Sequence, residues 1–320
     1  MSRIVYLAFP AGGITGGQKM ILRHVETLRD LGFDAVLWHS PQNPRQAGIP
    51  HRAPIKVGTP FRPDDILVLP DDAPNALRTA ATLAQPLVVF CQNQFGLAGI
   101  GTPALAAYPP DREVRMLTVG PTAAASIQRI FPDLPVAIVP CFADERVFRP
   151  AGAAAHRAAY APRKRPQEAV AIRNLLPRLH PRHAGLPFHA VENVSEPEVA
   201  EAFAGSALFL SLSRLEAVGI TPLEAMASGC VCAGFTGIGG RDFASPENGF
   251  WVEEDDLFAA TDALAAAADL VLTGGPPLAR MRDAGRATAE QWSYGRFRER
   301  LEAVWSEFAP AARLRDGPLD

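Results

Sequence analysis

The chain has 320 residues, 48% of them hydrophobic and 20% charged, with a net charge of −3 at pH 7. That length allows two domains of ordinary size, and the apolar fraction excludes an intrinsically disordered chain. The mild acidity leaves no global basic field for nucleic acid, and no apolar run approaches the ~20 residues of a membrane-spanning helix.

Cys91, Cys141, Cys230 and Cys232 form no Cys-x-x-Cys pair and are expected to be small buried hydrophobes in a reducing compartment. The histidines show no metal-ligand spacing beyond the loose pair His180/His183. That pair falls in a Pro/Arg-rich loop and is expected to be solvated. No metal site is predicted.

Arg3–Pro10 reads as a first buried strand, its apolar stretch too short for a signal-peptide core. It runs into Ala11-Gly12-Gly13-Ile14-Thr15-Gly16-Gly17. Ile21, Val25 and Leu28 then recur at helical spacing, and Gly32 ends the helix. Strand, glycine loop and helix open a doubly wound α/β domain. Such a loop lets backbone approach a ligand and leaves a helix N-terminus open, although a plain tight connection is the other reading. It is neither a dinucleotide fingerprint nor a Walker loop, since Gly12-x4-Gly17 is followed by Gln18-Lys19.

Asp34–His39 is a second strand. Gln42–Pro63 is proline-rich and expected to be an irregular loop on the acceptor side. Asp65–Leu69, Leu87–Cys91, Met116–Val119 and Val136–Val139 read as further strands, alternating with helical segments such as Ala76–Ala84 and Thr122–Ile130. Ligands of parallel sheets bind beyond the carboxyl ends of strands. That rule selects Gln92-Asn93-Gln94 and Gly120. Asn and Gln suit sugar hydroxyls, and an ordinary polar loop is the alternative.

The small residues Ala151–Ala155 mark a boundary, and the pattern restarts with a strand at Ala158–Pro162. Seven basic residues lie between Arg157 and Arg182 against one acid, Glu168. A solvated basic face with weak attraction to anionic lipid is one reading. The other concerns Arg163 and Lys164, at a strand's carboxyl end, where a fork and a point charge suit phosphate oxygens. Phe188–Val191 is a strand, Glu196–Ala204 an amphipathic helix and Ala207–Ser213 a strand. Cys230–Phe235 leads into a second glycine loop, Thr236-Gly237-Ile238-Gly239-Gly240. Phe250–Val252 is the last strand. Leu257–Leu272 and Trp292–Phe308 read as helices, and the tail Ala311–Asp320 has no periodicity and is expected to be disordered.

Ser211–Gly229, SLSRLEAVGITPLEAMASG, concentrates the chemistry. Glu216 and Glu224 stand eight apart with Gly219 between them. Thr221 is expected to be an N-cap, with Pro222 at the first helical position and Glu224 completing a capping box. On that reading Glu224 is only a cap and Glu216 an ordinary loop carboxylate. The ensemble of Glu-x7-Glu, the internal glycine and the tail Leu-Glu-Ala-Met-Ala-x-Gly resembles the donor-site signature of retaining GT-B glycosyltransferases, above all glycosyltransferase family 4.

The resemblance implies an α/β GT-B fold, two doubly wound Rossmann-like domains whose parallel sheets face a central cleft. Residues 1–150 would form the acceptor-side domain and 151–290 the nucleotide-sugar domain. A helix at 291–310 would cross back to the first domain, leaving 311–320 as a tail. Gly16-Gly17 looks like the Gly-Gly that opens the first helix of the family. Gln92-Asn93 resembles a subset of its bacterial members, and Val139–Pro150 looks like its interdomain linker. The family places an Arg and a Lys five apart after a glycine, whereas Arg163 and Lys164 are adjacent here. This leaves open whether Lys164 or Arg165 is the second phosphate ligand.

The activity implied is retaining transfer of a hexosyl group from a nucleotide-diphosphate sugar to an acceptor hydroxyl, in bacterial glycan or polysaccharide synthesis. The catalytic residues would be Glu216, on the transferred sugar, with Arg163 and Lys164 on the phosphates. Glu224, Gly219, Ile220, Thr221, Gly16, Gly17, Gly237 and Gly239 would bind the donor, and Gln92, Asn93 and Gln94 the acceptor. No cofactor is expected beyond the nucleotide sugar itself. No metal is expected either, since Asp-x-Asp is absent from the sequence and the leaving phosphate can accept the proton. The acceptor would be a glycan, a lipid-linked sugar or a small molecule. Nucleic acid is not an expected partner. A cytoplasmic location follows, with peripheral contact at the inner face of the membrane as its variant. A nucleotide-sugar epimerase of the same architecture, or a catalytically silent glycan- or partner-binding GT-B protein, are the rival readings.

Overall fold

A computed structural model describes residues 2–8, 16–41, 49–109 and 111–314. They fall into two compact units, Met1–Pro140 with Phe297–Asp320, and Cys141–Arg296. The segment after Pro140 therefore groups with the second unit.

The first unit carries a seven-stranded sheet in the order β3-β2-β1-β4-β5-β6-β7. The strands are β1 (Ile4–Leu7), β2 (Ala35–His39), β3 (Ile55–Val57), β4 (Ile66–Pro70), β5 (Leu87–Cys91), β6 (Val114–Thr118) and β7 (Val136–Ile138). All neighbours are parallel, with Ile4 opposite Ala35 on one side and Ile66 on the other. The central runs are apolar on both faces because helices cover them, so Val5, Leu67, Leu69, Val89 and Met116 all enter one core. The helices are α1 (Gly16–Asp30), α2 (Pro74–Ala80) and a broken run made of α3 (Gln94–Gly96), a π-helical turn (Leu97–Gly101) and α4 (Thr102–Leu105), followed by α5 (Pro121–Ile130). Glycines at 96, 99 and 101 and the proline at 103 weaken that run as a regular α-helix.

Two expectations for this unit change. The stretch 49–63 is not wholly irregular, because β3 pairs with β2, Leu37 lying opposite Ile55. This edge strand is three residues long and exposed at every position, so its Ile-Lys-Val alternation is too short to read and faces no core. Residues 42–48 and the loop residues 9–15, including Gly12 and Gly13, lie outside the described residues. Residues 311–314 of the tail are packed by backbone hydrogen bonds, and 315–320 lie outside the described residues. Asp34 N–H donates to Ala312 O at 2.9 Å, and Leu314 N–H donates to Gly32 O at 2.7 Å. Backbone pairing holds this segment, and backbone pairing has no side-chain signature.

The second unit carries a five-stranded parallel sheet, β12-β11-β10-β8-β9. Its strands are β8 (Ala155–Tyr160), β9 (Phe188–Ala190), β10 (Ser206–Leu212), β11 (Val231–Phe235) and β12 (Gly249–Val252). Its helices are α6 (Pro166–Leu179), α7 (Glu196–Ala204), α8 (Ile220–Ala227), α9 (Leu257–Thr273) and α10 (Gly275–Gln291). α11 (Tyr294–Phe308) continues into the first unit, where Phe297, Leu301, Val304 and Trp305 are buried. Trp305 packs at 6.1 Å from Tyr6 and Phe297 at 5.0 Å from His24.

Here the corrections concern prolines and caps. β8 ends at Tyr160 rather than Pro162, because Pro162 opens a 3-10 turn. The basic stretch is not simply a solvated face: residues 166–179 form α6, with Ala169, Ile172 and Leu176 buried. α10 begins with Pro276-Pro277 in its first turn, where a missing N–H costs nothing. His183 is not solvated. It is 3% exposed and its Nε2 lies 2.9 Å from Asp269 Oδ1, while His180 Nε2 lies 2.7 Å from Asp262 Oδ1. The four cysteines are buried, as expected, and none forms a disulfide.

Candidate functional site

Each sheet has one topological switch point. In the first unit it lies between β1 and β4, and in the second between β8 and β10. Open α/β sheets bind ligands at the carboxyl ends of strands flanking such a point.

In the second unit, the loop after β8 carries Arg163, Lys164 and Arg165, and the loop after β10 carries Arg214 to Gly219. The two loops meet. Lys164 Nζ lies 3.7 Å from Glu216 Oε1. The Glu216 side chain keeps about a quarter of its exposure (26%). Burial nevertheless raises its pKa above the ordinary 4.5, opposed by the nearby charges of Lys164 and Arg163.

The capping box does not form. α8 starts two residues early, at Ile220, and its N-cap is Gly219 at φ +83°. Thr221 and Pro222 therefore sit at the second and third helical positions, and Glu224 in the second turn. A left-handed residue at the cap favours glycine, and glycine takes precedence over the Thr-x-x-Glu pattern. A Cβ on Gly219 would stand 3.3 Å from Glu216 Oε2 and 3.3 Å from Ser213 Oγ. Glu216 is thus folded over the start of α8, whose first N–H groups have no intrahelical acceptor. Glu224 is 7% exposed and belongs to the buried face of α8.

The second glycine loop supports this arrangement. Gly239 N–H donates to Glu216 O at 3.2 Å, and a Cβ on Gly239 would stand 2.1 Å from Ala217 O. Gly237, at φ +63°, would place a Cβ 2.9 Å from Ser213 Cβ. Both glycines allow the loop to stack on the backbone that carries Glu216.

Arg165 has a different task from its neighbours. Its side chain is fully buried. It donates to Ser213 O at 3.2 Å, Glu168 Oε1 at 3.3 Å and Asp255 Oδ1 at 2.6 Å, with its guanidinium 4.3 Å from the Phe235 ring centroid. It ties together the loops after β8, β10 and β12. Of the two residues left open as partner to Arg163, Lys164 is the one beside Glu216.

In the first unit, Gly16 and Gly17 open α1, and a Cβ on Gly17 would lie 3.4 Å from Gln92 Oε1. Asn93 caps α3, its Oδ1 accepting from Phe95 N–H at 3.0 Å. Gln94 is 4% exposed, and neither atom of its amide has a hydrogen-bond partner among the described residues. One neighbour of these residues was not foreseen. Asp71, directly after β4, is 3% exposed, and its Oδ1 accepts from Gln92 N–H at 3.0 Å. Burial raises its pKa to about 7, with Asp72 adding to the rise and the Gln92 and Asn93 N–H groups opposing it.

No group of three or more His, Cys, Asp or Glu side chains suited to a metal ion occurs among the described residues. No single helix among them is long and apolar enough to cross a membrane.

Comparison with known proteins covers both units. Sucrose-phosphate synthase from Thermosynechococcus elongatus superposes with a TM-score of 0.73 over 97% of this chain and 100% of that one, at 13% identity. Anabaena HepE, solved in complex with UDP-glucose, gives 0.70 over 95% and 99% at 11% identity. The chain has the GT-B fold. Within it, residues 187–288, which include Glu216 and Glu224, match the family described as Glycosyl transferases group 1. This GT-B chain is also 26% identical over 268 residues to an α-1,6-glucosyltransferase of Actinobacillus pleuropneumoniae serotype 7 (strain AP76), covering 80% of this chain and 81% of the relative.

Proposed function

We propose that this GT-B chain is a retaining glycosyltransferase that moves a hexosyl group from UDP-glucose, or a close UDP-sugar, to an acceptor hydroxyl in bacterial glycan synthesis. The observation that carries the proposal is the meeting of Lys164 and Glu216 over the Gly219 start of α8, at the switch point of the second unit. A cation, a helix N-terminus and a carboxylate at one place suit a diphosphate joined to a polyhydroxyl ring. The choice of donor is supported by HepE, solved with UDP-glucose, and by the glucosyltransferase relative.

Arg163, Lys164 and the N–H groups of Gly219, Ile220 and Thr221 hold the diphosphate and stabilise the charge it gains as the anomeric C–O bond breaks. Glu216 accepts hydrogen bonds from the hydroxyls of the transferred sugar, and Glu224 from those of the ribose. The acceptor oxygen bonds to the anomeric carbon on the face the diphosphate leaves. Its proton passes to the departing phosphate oxygen, so no enzyme carboxylate serves as base. Cationic side chains do the work of a divalent ion, and no cofactor is needed. Gly16 and Gly17 are assigned to the donor, and Gln92, Asn93 and Gln94 to the acceptor.

Calorimetric titration tests this reading. UDP and UDP-glucose are expected to bind the full chain, and Lys164→Ala is expected to weaken both about tenfold or more. Conversion of UDP-glucose to an epimer with no acceptor present would contradict transfer.

A further inference from the structure

Asp65 and Asp71 flank the same strand, and their surroundings differ. Asp65, at the amino end of β4, is fully buried and neutralised. Arg3 Nε and an Arg3 terminal nitrogen reach its two oxygens at 3.1 and 2.7 Å, and Arg62 N–H adds a bond at 2.8 Å. Asp71, at the carboxyl end, is equally buried and has no such cation. Its Oδ1 takes the Gln92 N–H, and its Oδ2 has no hydrogen-bond partner among the described residues. A structural carboxylate in this fold is paired, as Asp65 is. A buried unpaired one is costly, and such groups concentrate at functional sites.

The surroundings of Asp71 are built to bring it against the turn after β5. A Cβ on Gly96 would stand 3.3 Å from Asp71 Oδ2, and one on Gly101 would stand 2.5 Å from Asp71 O. Glycines at both places let the end of β4 pack against the helical run that starts at Gln94. Gly101 closes a π-helical turn, a distortion found frequently at functional sites. Gln92 in turn lies against Gly17 at the start of α1. One carboxyl group therefore sits behind the turn that projects Gln92, Asn93 and Gln94, at the switch point of the first unit.

We infer that Asp71 is a positioning residue for the acceptor: by holding the Gln92 backbone N–H, it sets the turn whose side chains receive a sugar-like polyol. This rests on the transferase reading above. The ionised carboxylate accepts the Gln92 N–H more strongly than the neutral acid does, so acceptor binding improves as Asp71 loses its proton. The charged or titratable groups facing it are Asp72 on its own loop and the Cys91 thiol of β5. Residues 94–105 carry none.

The test uses the full chain, UDP-glucose as donor and methyl α-D-glucopyranoside as acceptor probe. Asp71→Asn is expected to raise the acceptor KM about tenfold, the effect of a lost charge-assisted hydrogen bond, with the UDP-glucose KM unchanged. The wild-type acceptor KM is expected to fall as pH rises through about 7, a step absent from the variant. Independently of any acceptor, the Gln92 and Asn93 amide resonances of the wild type are expected to titrate with that midpoint. Amides that stay fixed between about pH 5.5 and 8.5, or an unchanged acceptor KM in Asp71→Asn, would overturn the inference. A wild-type chain that neither binds nor turns over UDP-glucose would instead sink the transferase reading, and the amide titration would still decide the role of Asp71.

Discussion

Lys164 Nζ stands 3.7 Å from Glu216 Oε1, across the gap between the loops that follow β8 and β10. The pair joins the two strands that flank the switch point of the second unit. Removing the lysine acts on both phosphate and carboxyl. Lys164→Ala is expected to lower kcat/KM for UDP-glucose by about 10²–10³, the range for one lost group that stabilises developing negative charge. It also removes a charge that opposes the raised pKa of Glu216. Glu216 must be ionised to accept hydroxyl hydrogen bonds, so activity falls as pH drops through its pKa. The acid limb of the pH–rate profile is expected to move upward in the variant.

Arg165 is expected to behave as a stability residue. Its guanidinium is buried against Phe235, and its carbonyl partner at Ser213 has no replacement donor in an Arg165→Met chain. The bond to Asp255 is partly screened, since that carboxylate is 70% exposed. Truncation is expected to cost about 3 kcal/mol in denaturant unfolding, and Lys in its place restores little because it lacks the fork. A variant as stable as wild type would contradict this role.

Gly219→Ala separates geometry from charge. The left-handed backbone costs an L-residue roughly 1–2 kcal/mol. The added methyl meets the Glu216 carboxylate and Ser213 at 3.3 Å. UDP-glucose turnover is expected to drop at least tenfold while the chain stays folded, as measured by a thermal melt beside the rate.

Asp71 gives a pH signature in stability. Its carboxyl binds a proton more tightly in the folded chain than unfolded, because burial raises the pKa from 3.8 to about 7. The folded state is therefore favoured below about pH 4, and that contribution is lost as pH rises to about 7. Asp71→Asn removes the loss. The variant is expected to melt at a higher temperature than wild type at about pH 8, by a margin that shrinks toward about pH 5. A margin independent of pH would show that Asp71 does not titrate there.

Much of this was legible in the sequence because most strands are apolar runs with clear ends. Leu87–Cys91 and Glu196–Ala204 appear with the bounds read for them. Pro166 and Pro276-Pro277 open α6 and α10, two helices not read from the sequence. The capping pattern at Thr221 was real as a pattern but lost to the left-handed Gly219 two residues earlier. Spacing alone left Glu216 an ordinary loop carboxylate; the family resemblance singled it out, and the place of Lys164 after a strand drew attention to that residue. The task of Arg165 was not legible, since its partners Ser213 and Asp255 are 48 and 90 residues away. Asp71 lies in the run Asp-Asp-Ala-Pro and was not singled out from the sequence. Its one signal was its place at the carboxyl end of β4, which gains meaning only once β4 is known to lie beside β1.

Metal removal offers a further check. With Arg163 and Lys164 on the diphosphate, EDTA is expected to leave UDP-glucose turnover within about twofold of its original rate. A loss restored by added Mn²⁺ or Mg²⁺ would assign the leaving-group charge to a metal instead.

The role of Glu216 on the transferred sugar is decided by UDP release from UDP-glucose, measured for the wild-type chain and for Glu216→Gln with UDP affinity beside it. Release by wild type is expected, with a fall of at least about 100-fold in the variant and UDP binding unchanged within a few-fold. A Glu216→Gln chain that releases UDP at the wild-type rate would contradict that role.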